Sequence, residues 1–233
     1  MFGTGLWALL PKCAAKKCGQ NVINLLWGLK MLDKSALREK NLHQRKMLNS
    51  IQRVSDAALL LAQFVMSIRS HSQLTIGGYW SVGSEIATHD LLEHCHNAGH
   101  TVALPTRALN NDEEASDKDM SFRTWTPRAP MTIGSFNVPE PDGAVVLPSL
   151  LLVPLLAFDR NGGRLGRGGG YYDIYLSQRR KNSNVCALGL AFSFQEVENC
   201  PMDAHDERLD AIMTPRDIHW INKAAFAKVG VDI

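Results

Sequence analysis

A chain of 233 residues with 45% hydrophobic and 21% charged residues has the length and composition of a globular protein with a substantial core. Its formal net charge of +2 is distributed unevenly: residues 1–32 hold four lysines and no acid, leaving 21 basic against 23 acidic residues for the rest. A body so near neutrality lacks the basic face of a nucleic-acid-binding protein, and no apolar run approaches the ~20 residues of a membrane-spanning helix.

Residues 1–32 contain no arginine and no serine, the residues a mitochondrial presequence favours, and Pro11 with Lys12, Lys16 and Lys17 splits the apolar run a signal peptide needs. They are read as an N-terminal extension, disordered or without function, ahead of a single domain over 33–233. A protein beginning at Met31 is expected to fold and keep full activity. The expected setting is the cytoplasm, with mitochondrial import as the alternative. Cys13, Cys18, Cys95, Cys186 and Cys200 are odd in number and scattered, which fits reduced thiols and gives neither a disulfide framework nor a zinc spacing.

Apolar residues from Leu37 to Ile68 recur every three to five positions, predicting helix over 33–70 with Asp33 as its cap and a restart at Ser50 or Ser55. Leu74–Tyr79 predicts a strand, Ser81–Ser84 a loop, Glu85–Asn97 a helix closed by Gly99, and Thr101–Leu104 a strand stopped by Pro105. Strand–helix–strand order signals a parallel sheet. The acidic stretch 108–119 reads as an exposed loop, Ser121–Trp125 as a short strand, and five prolines between Pro127 and Pro148 as an irregular wrap. Then follow an apolar strand Leu150–Phe158 ending on Asp159, a helix Tyr171–Arg180, a strand Val185–Ala191 and a short one at Ile212–Thr214. The predicted fold is α/β, one domain of three layers (α/β/α) around a mostly parallel sheet.

Six of the eighteen glycines fall within the nine positions Gly162 to Gly170, interrupted by Arg164, Leu165 and Arg167 and followed by Tyr171, Tyr172 and Asp173. Backbone without Cβ atoms approaches a ligand closely, and two arginines add planar donor forks suited to phosphate oxygens. Exposed amides, arginines and a following aspartate describe a polyphosphate cradle with a magnesium ligand beside it. The run has no Gly-Lys-Ser/Thr ending, so it is not a Walker loop. A strand leading in and a helix leading out place it beyond a carboxyl strand end, where α/β sheets bind ligands.

The stretch Val153-Pro-Leu-Leu-Ala-Phe-Asp-Arg-Asn-Gly-Gly-Arg-Leu-Gly-Arg-Gly-Gly-Gly-Tyr-Tyr-Asp173 resembles the signature of the 5-formyltetrahydrofolate cyclo-ligase (methenyltetrahydrofolate synthetase) family. Lys34-Ser-Ala-Leu-Arg38, Tyr79-Trp-Ser-Val-Gly-Ser-Glu85-Ile and Pro201-Met-Asp-Ala-His-Asp206 match it in order and spacing, so the likeness runs from about Lys34 to Pro215. It implies cyclisation of 5-formyltetrahydrofolate to 5,10-methenyltetrahydrofolate driven by ATP as co-substrate with Mg2+, through phosphorylation of the formyl oxygen. By the same resemblance the nucleotide is held by Lys34, Ser35, Ala36, Leu37 and Arg38 together with Arg164, Leu165, Gly166, Arg167, Gly168, Gly169, Gly170, Tyr171 and Tyr172. The reduced folate is held by Trp80, Glu85, Arg167, Gly168, Gly169, Gly170 and Tyr171, with Arg167 and Tyr171 nearest the chemistry. Asp173 and Asp206 look like the magnesium carboxylates, although Asp203, Glu207 and Asp210 stand close to Asp206 in sequence. Leu155 departs from the family pattern, where a glycine is common. The partners implied are small molecules, reduced folate and ATP, with no nucleic acid and no membrane, acting on a monomer. Two rivals stay open: a catalytically silent nucleotide- or folate-binding regulator on the same fold, and a sugar-phosphate isomerase or transferase of similar architecture.

Overall fold

The computed structural model describes residues 34–70, 72–107, 120–134, 137–182 and 184–233. The predicted extension over 1–32, the Asp33 cap and the acidic loop 108–119 lie outside the described residues.

Two helices open the described chain, α1 (Lys34–Met47) and α2 (Ser50–Ser67). The second helix restarts at Ser50, one of the two expected positions, where Asn49 forms a capping box: its Oδ1 accepts from Gln52 N–H at 2.9 Å while its own N–H donates to Gln52 Oε1 at 3.3 Å. The chain then forms β1 (Arg69–Ser70), β2 (Thr75–Gly77), α3 (His89–Asn97), β3 (Thr101–Arg107), β4 (Met120–Thr124), β5 (Met131–Ile133), β6 (Pro139–Pro141), β7 (Val145–Val146) and β8 (Leu150–Pro154). It continues as β9 (Ala157–Phe158), β10 (Arg164–Leu165), α4 (Tyr171–Asn182), β11 (Cys186–Leu190), a 3-10 turn at Ser193–Gln195, β12 (Ala211–Met213), β13 (Ile218–Trp220), α5 (Lys223–Lys228) and β14 (Val231–Asp232).

Eight strands form one sheet in the order β13-β12-β11-β8-β2-β3-β4-β7. The five from β12 to β3 are mutually parallel, β13 and β4 flank them antiparallel, and β7 pairs antiparallel with β4 at the edge. In β8 the alternation of side chains across a strand divides a wholly buried run. Leu150 and Leu152 join a cluster with Leu60 of α2, Leu91 of α3 and Phe226 of α5. Leu151 and Val153 join another with Tyr175 and Leu176 of α4. Helices therefore cover both faces, as all-parallel cores require. The end of the chain is tied in: β14 pairs with β1, and Phe226 is fully buried. Cys95, Cys186 and Cys200 are buried, unpaired thiols.

Four sequence expectations are corrected. The Thr101 strand does not stop at Pro105 but runs to Arg107. Trp125 N–H bonds Val102 O, so Leu104 and Thr106 make the next bonded pairs with β4, and Pro105 faces Phe122 where the ladder needs no N–H. The helix predicted from Glu85 begins at His89, because residues 79–88 are folded as a loop in which Thr88 Oγ1 donates to Tyr79 O at 2.6 Å and Tyr79 OH donates to Ile86 O at 3.3 Å. The apolar run to Phe158 is two strands, β8 and β9, with Leu155 and Leu156 turning between them. The proline-rich wrap is partly regular: β5 and β6 form a hairpin, and β7 extends the main sheet.

Candidate active site

Along the parallel core the chain steps from β2 outward to β3, then returns to the other side of β2 and proceeds through β8, β11 and β12. The reversal falls between β2 and β8, and ligands of open α/β sheets occupy the crevice at such a switch point, beyond the strand carboxyl ends. Two loops meet there. Residues 78–88 leave β2 and carry Trp80 and Glu85, and the glycine run follows β8 by way of a ribbon of β9 and β10. Asp159 ties that ribbon's turn, its Oδ1 accepting from Asn161 N–H (2.8 Å) and Gly163 N–H (2.9 Å), its Oδ2 from Cys200 N–H (2.8 Å).

Helix α1 crosses the mouth and the loops enclose a cavity of about 430 Å³. Lys34, Arg38 and Arg45 line it from α1, with Glu85, the whole run from Arg164 to Asp173, and Asp203, His205 and Asp206. Arg38 Nε donates to Gly166 O at 2.9 Å, fastening the helix to the glycine loop. Gly168 holds φ at 107° with its Cα face against the Arg38 guanidinium, a torsion that L side chains rarely adopt.

At one end of the cavity the charges are paired. Lys34 Nζ lies 2.6 Å from Oδ2 of both Asp203 and Asp206, and Asp206 Oδ2 also accepts from Asp203 N–H at 2.7 Å. Burial opposes the charge on both Lys34 and Asp206, but these hydrogen bonds and the mutual attraction outweigh it, raising the lysine and lowering the aspartate. Asp203, His205 and Asp206 bring their ligand atoms within 4.8 Å of one another. Arg164, with its side chain 4% exposed, donates to Asp173 Oδ1 from Nη1 (2.9 Å) and Nη2 (2.8 Å) and to Glu207 O (2.9 Å). Glu207 N–H also reaches Asp173 Oδ1 at 2.9 Å. Burial lowers the Arg164 pKa, with Asp173 opposing it.

At the other end Glu85 Oε2 accepts from Val82 N–H at 2.9 Å, and Oε1 pairs at 3.1 Å with Arg167, which also donates to Val82 O at 3.0 Å. Arg167 thus links the glycine loop to the loop after β2, and its side chain is 54% exposed. Tyr172 is half-buried, its hydroxyl is shielded and makes no hydrogen bond, and burial pushes its pKa upward, ahead of the repulsion from Glu85.

The fold thus gathers Lys34, Arg38, Glu85, Asp173, Asp206 and every residue from Arg164 to Tyr172 around one cavity, although they span 172 positions of sequence. It does not bring in the rest of the first set. Leu37 is buried against Ala157 and Leu165, and Ser35, Ala36 and Trp80 are absent from the lining. Trp80 packs edge-on to His89, ring centroids 5.4 Å apart, beside the larger core cluster. Leu155, the departure from the family pattern, lines the cavity, and its carbonyl accepts from Arg45 and Gln195. Sequence reasoning passed over Arg45. Its signal was present: Lys34, Arg38, Asn41 and Arg45 follow at intervals of four, three and four on one helix face.

A family model for 5-formyltetrahydrofolate cyclo-ligases matches residues 30–215. A 5-formyltetrahydrofolate cyclo-ligase of Haemophilus influenzae is 34% identical over 152 residues, covering 63% of this chain and 78% of that protein. One from Escherichia coli K12 is 32% identical over 150 residues, covering 62% and 79%. Among solved structures, the 5,10-methenyltetrahydrofolate synthetase of Aquifex aeolicus superposes with a TM-score of 0.65 at 27% identity, covering 81% of this chain and 92% of that one.

Proposed function

Since the chain belongs to the 5-formyltetrahydrofolate cyclo-ligase family, we propose that it closes 5-formyltetrahydrofolate to 5,10-methenyltetrahydrofolate, consuming ATP and releasing ADP and phosphate. The observation that carries this reading is a single cavity with two chemically different ends joined by a glycine- and arginine-rich wall. A formamide carbon is a poor electrophile and its oxygen a poor leaving group. Transfer of the terminal phosphoryl group to the formyl oxygen remedies both: N10 attacks the activated carbon, the C–O bond breaks and phosphate departs. Such transfer depends on positioning and charge neutralisation more than on a protein nucleophile.

The division of labour follows the charges. Lys34 and Arg38, on the helical turn that also carries Ser35, Ala36 and Leu37, approach the triphosphate from one side. The backbone amides from Leu165 to Gly170 approach it from the other. Arg167 stands between the two ends and meets the transferred phosphoryl group, while Tyr171 orients the formyl oxygen. Glu85 accepts hydrogen bonds from the amino-pyrimidine edge of the pterin, and Trp80 supports its loop from behind.

Magnesium fits the residues present. Asp206 keeps Oδ1 outside its 2.6 Å contact with Lys34, and Asp173 keeps Oδ2 outside its contacts with Arg164, leaving two hard oxygen donors on the cavity wall. An ion there neutralises phosphate charge as it develops. The same reading sets the enzyme in the cytoplasm; no described helix is long and apolar enough to cross a membrane. The test is the absorbance of methenyltetrahydrofolate formed from 5-formyltetrahydrofolate with and without MgATP. Product that depends on MgATP is expected, and tight binding of both ligands without product would identify a silent binder instead.

A further inference from the structure

Arg45 is a buried cation with an unused donor edge. The residue is 2% exposed. Its Nε donates to Ser84 Oγ at 3.1 Å and its Nη1 to Leu155 O at 3.2 Å, while Nη2 has no partner. Among the described residues it makes no ion pair; Glu85, the carboxylate that attracts it most, is engaged by Arg167 and Val82. Burying a guanidinium without a carboxylate and with an open N–H is costly, and such a group persists where something else accepts from it. Arg45 lines the cavity, so the acceptor belongs to a ligand.

Position along α1 identifies the ligand's chemistry. Lys34 sits at the carboxylate end and Arg38 on the glycine loop. Arg45 lies eleven residues beyond Lys34, about 16 Å along the helix axis. That is too far for the phosphate end, and it falls where Ser84 and Glu85 stand. Ser84 holds the guanidinium and Glu85 is the next residue, so a donor and an acceptor are presented side by side. Burial lowers the Arg45 pKa, but a guanidinium stays protonated in a protein and keeps its charge.

We propose that Arg45 is a substrate-binding residue whose Nη2 donates to the ring carbonyl oxygen of the reduced pterin, beside the N–H and amino groups that Glu85 receives. This rests on the folate reading above. It makes the Arg45–Glu85 pair a reader of a 2-amino-4-oxo ring edge, in which an acceptor directly adjoins two donors.

The test compares equilibrium binding of 5-formyltetrahydrofolate with that of its analogue carrying an amino group in place of the ring carbonyl, to wild type, Arg45→Met and Arg45→Lys. Wild type is expected to favour the oxo compound by at least ~10-fold, the scale of one charge-assisted hydrogen bond to a buried donor. Arg45→Met is expected to lose at least ~10-fold in oxo affinity, to lose most of the preference, and to bind ATP as before. The exchange also alters the edge that Glu85 meets, so only the preference that disappears with Arg45→Met belongs to Arg45. Equal losses for both compounds would mean that Arg45 merely props the 84–85 loop, and a loss confined to ATP would make it a phosphate ligand. Either overturns the proposal. If Arg45→Met fails to fold, Arg45→Lys, which keeps charge but not the fork, must still narrow the preference. A wild type without the preference overturns the proposal unaided. Failure to form methenyl product from a folate that is bound with the Arg45-dependent preference would instead refute the cyclo-ligase reading and leave Arg45 in place.

Discussion

Arg164 and Arg167 stand three residues apart in one loop, yet the fold gives them opposite duties, and Arg164→Met isolates the difference. Arg164 places two hydrogen bonds on Asp173 Oδ1 and a third on Glu207 O, with its side chain 4% exposed. Methionine keeps comparable length and removes every donor. The Asp173 carboxylate, 18% exposed, then keeps only Glu207 N–H on that oxygen. Removing one partner of a buried pair costs about 3–5 kcal/mol, and the partial exposure of Asp173 favours the lower figure. For a domain of this size about 3 kcal/mol lowers the thermal midpoint by roughly 6–12 °C. The double variant Arg164→Met/Asp173→Asn is expected to melt above the single one, because deleting both charges leaves no orphan while the asparagine oxygen still accepts from Glu207. Thermal unfolding of the four proteins in the cycle is the assay. A single variant within about 3 °C of wild type, or a double variant at the sum of the two losses, would refute the view of Arg164 as the anchor of the loop.

Arg167→Ala is expected to reverse that pattern: the arginine of its pair with Glu85 is 54% exposed and Glu85 keeps its bond from Val82 N–H, so solvent screening holds the loss to about 1 kcal/mol and the midpoint stays within roughly 4 °C. Its kcat/KM for ATP falls at least ~10-fold with the loss of a charge-assisted contact, and unchanged kinetics in a folded variant would remove Arg167 from the site. The Lys34–Asp206 pair gives a pH prediction. The lowered Asp206 contributes stability that is complete above the ordinary aspartate value of about 3.9 and disappears as pH falls through its folded value. The raised Lys34 contributes below about 10.4 and loses its share as pH rises through its own folded value. Destabilisation by Asp206→Asn therefore persists from about pH 5 to pH 9, and melting curves in which it vanishes within that window contradict the pairing. A chain beginning at Met31 should match the full-length protein in thermal midpoint and kcat/KM, since the family match starts at residue 30; a markedly earlier melt would show that residues 1–30 pack on the domain.

The sheet and its phosphate-type loop were legible because each rests on local signals. Leu150–Val153 is apolar without interruption because both faces are covered, and six glycines around two arginines leave few other uses. Element ends were less legible where a long-range partner decides them. Pro105 reads as a stop until β4 pairs beside it at a position needing no N–H. Glu85 reads as the start of a helix until its carboxylate turns back to Val82. The meeting of Lys34 with Asp203 and Asp206 across 169 and 172 residues is set by topology, to which local periodicity is blind. Arg45 was only half legible: its spacing puts it on the helix face of Lys34 and Arg38, but burial with an unused donor is a property of surroundings that the spacing does not carry.

The pairing of β14 with β1 has a consequence for synthesis on the ribosome. Arg69–Ser70 emerges long before Val231–Asp232, so the ribbon they form cannot close until both strands have left the ribosome. Phe226 fills the same cluster as Leu60 and Leu91, and until it arrives that face of the sheet has an open apolar socket. The nascent chain must therefore hold an exposed hydrophobic surface until Phe226 has emerged, a period in which chaperones have a substrate and aggregation has a foothold. Pauses or truncations ahead of Phe226 would harm this protein more than equal interruptions of a chain whose core closes over residues made earlier.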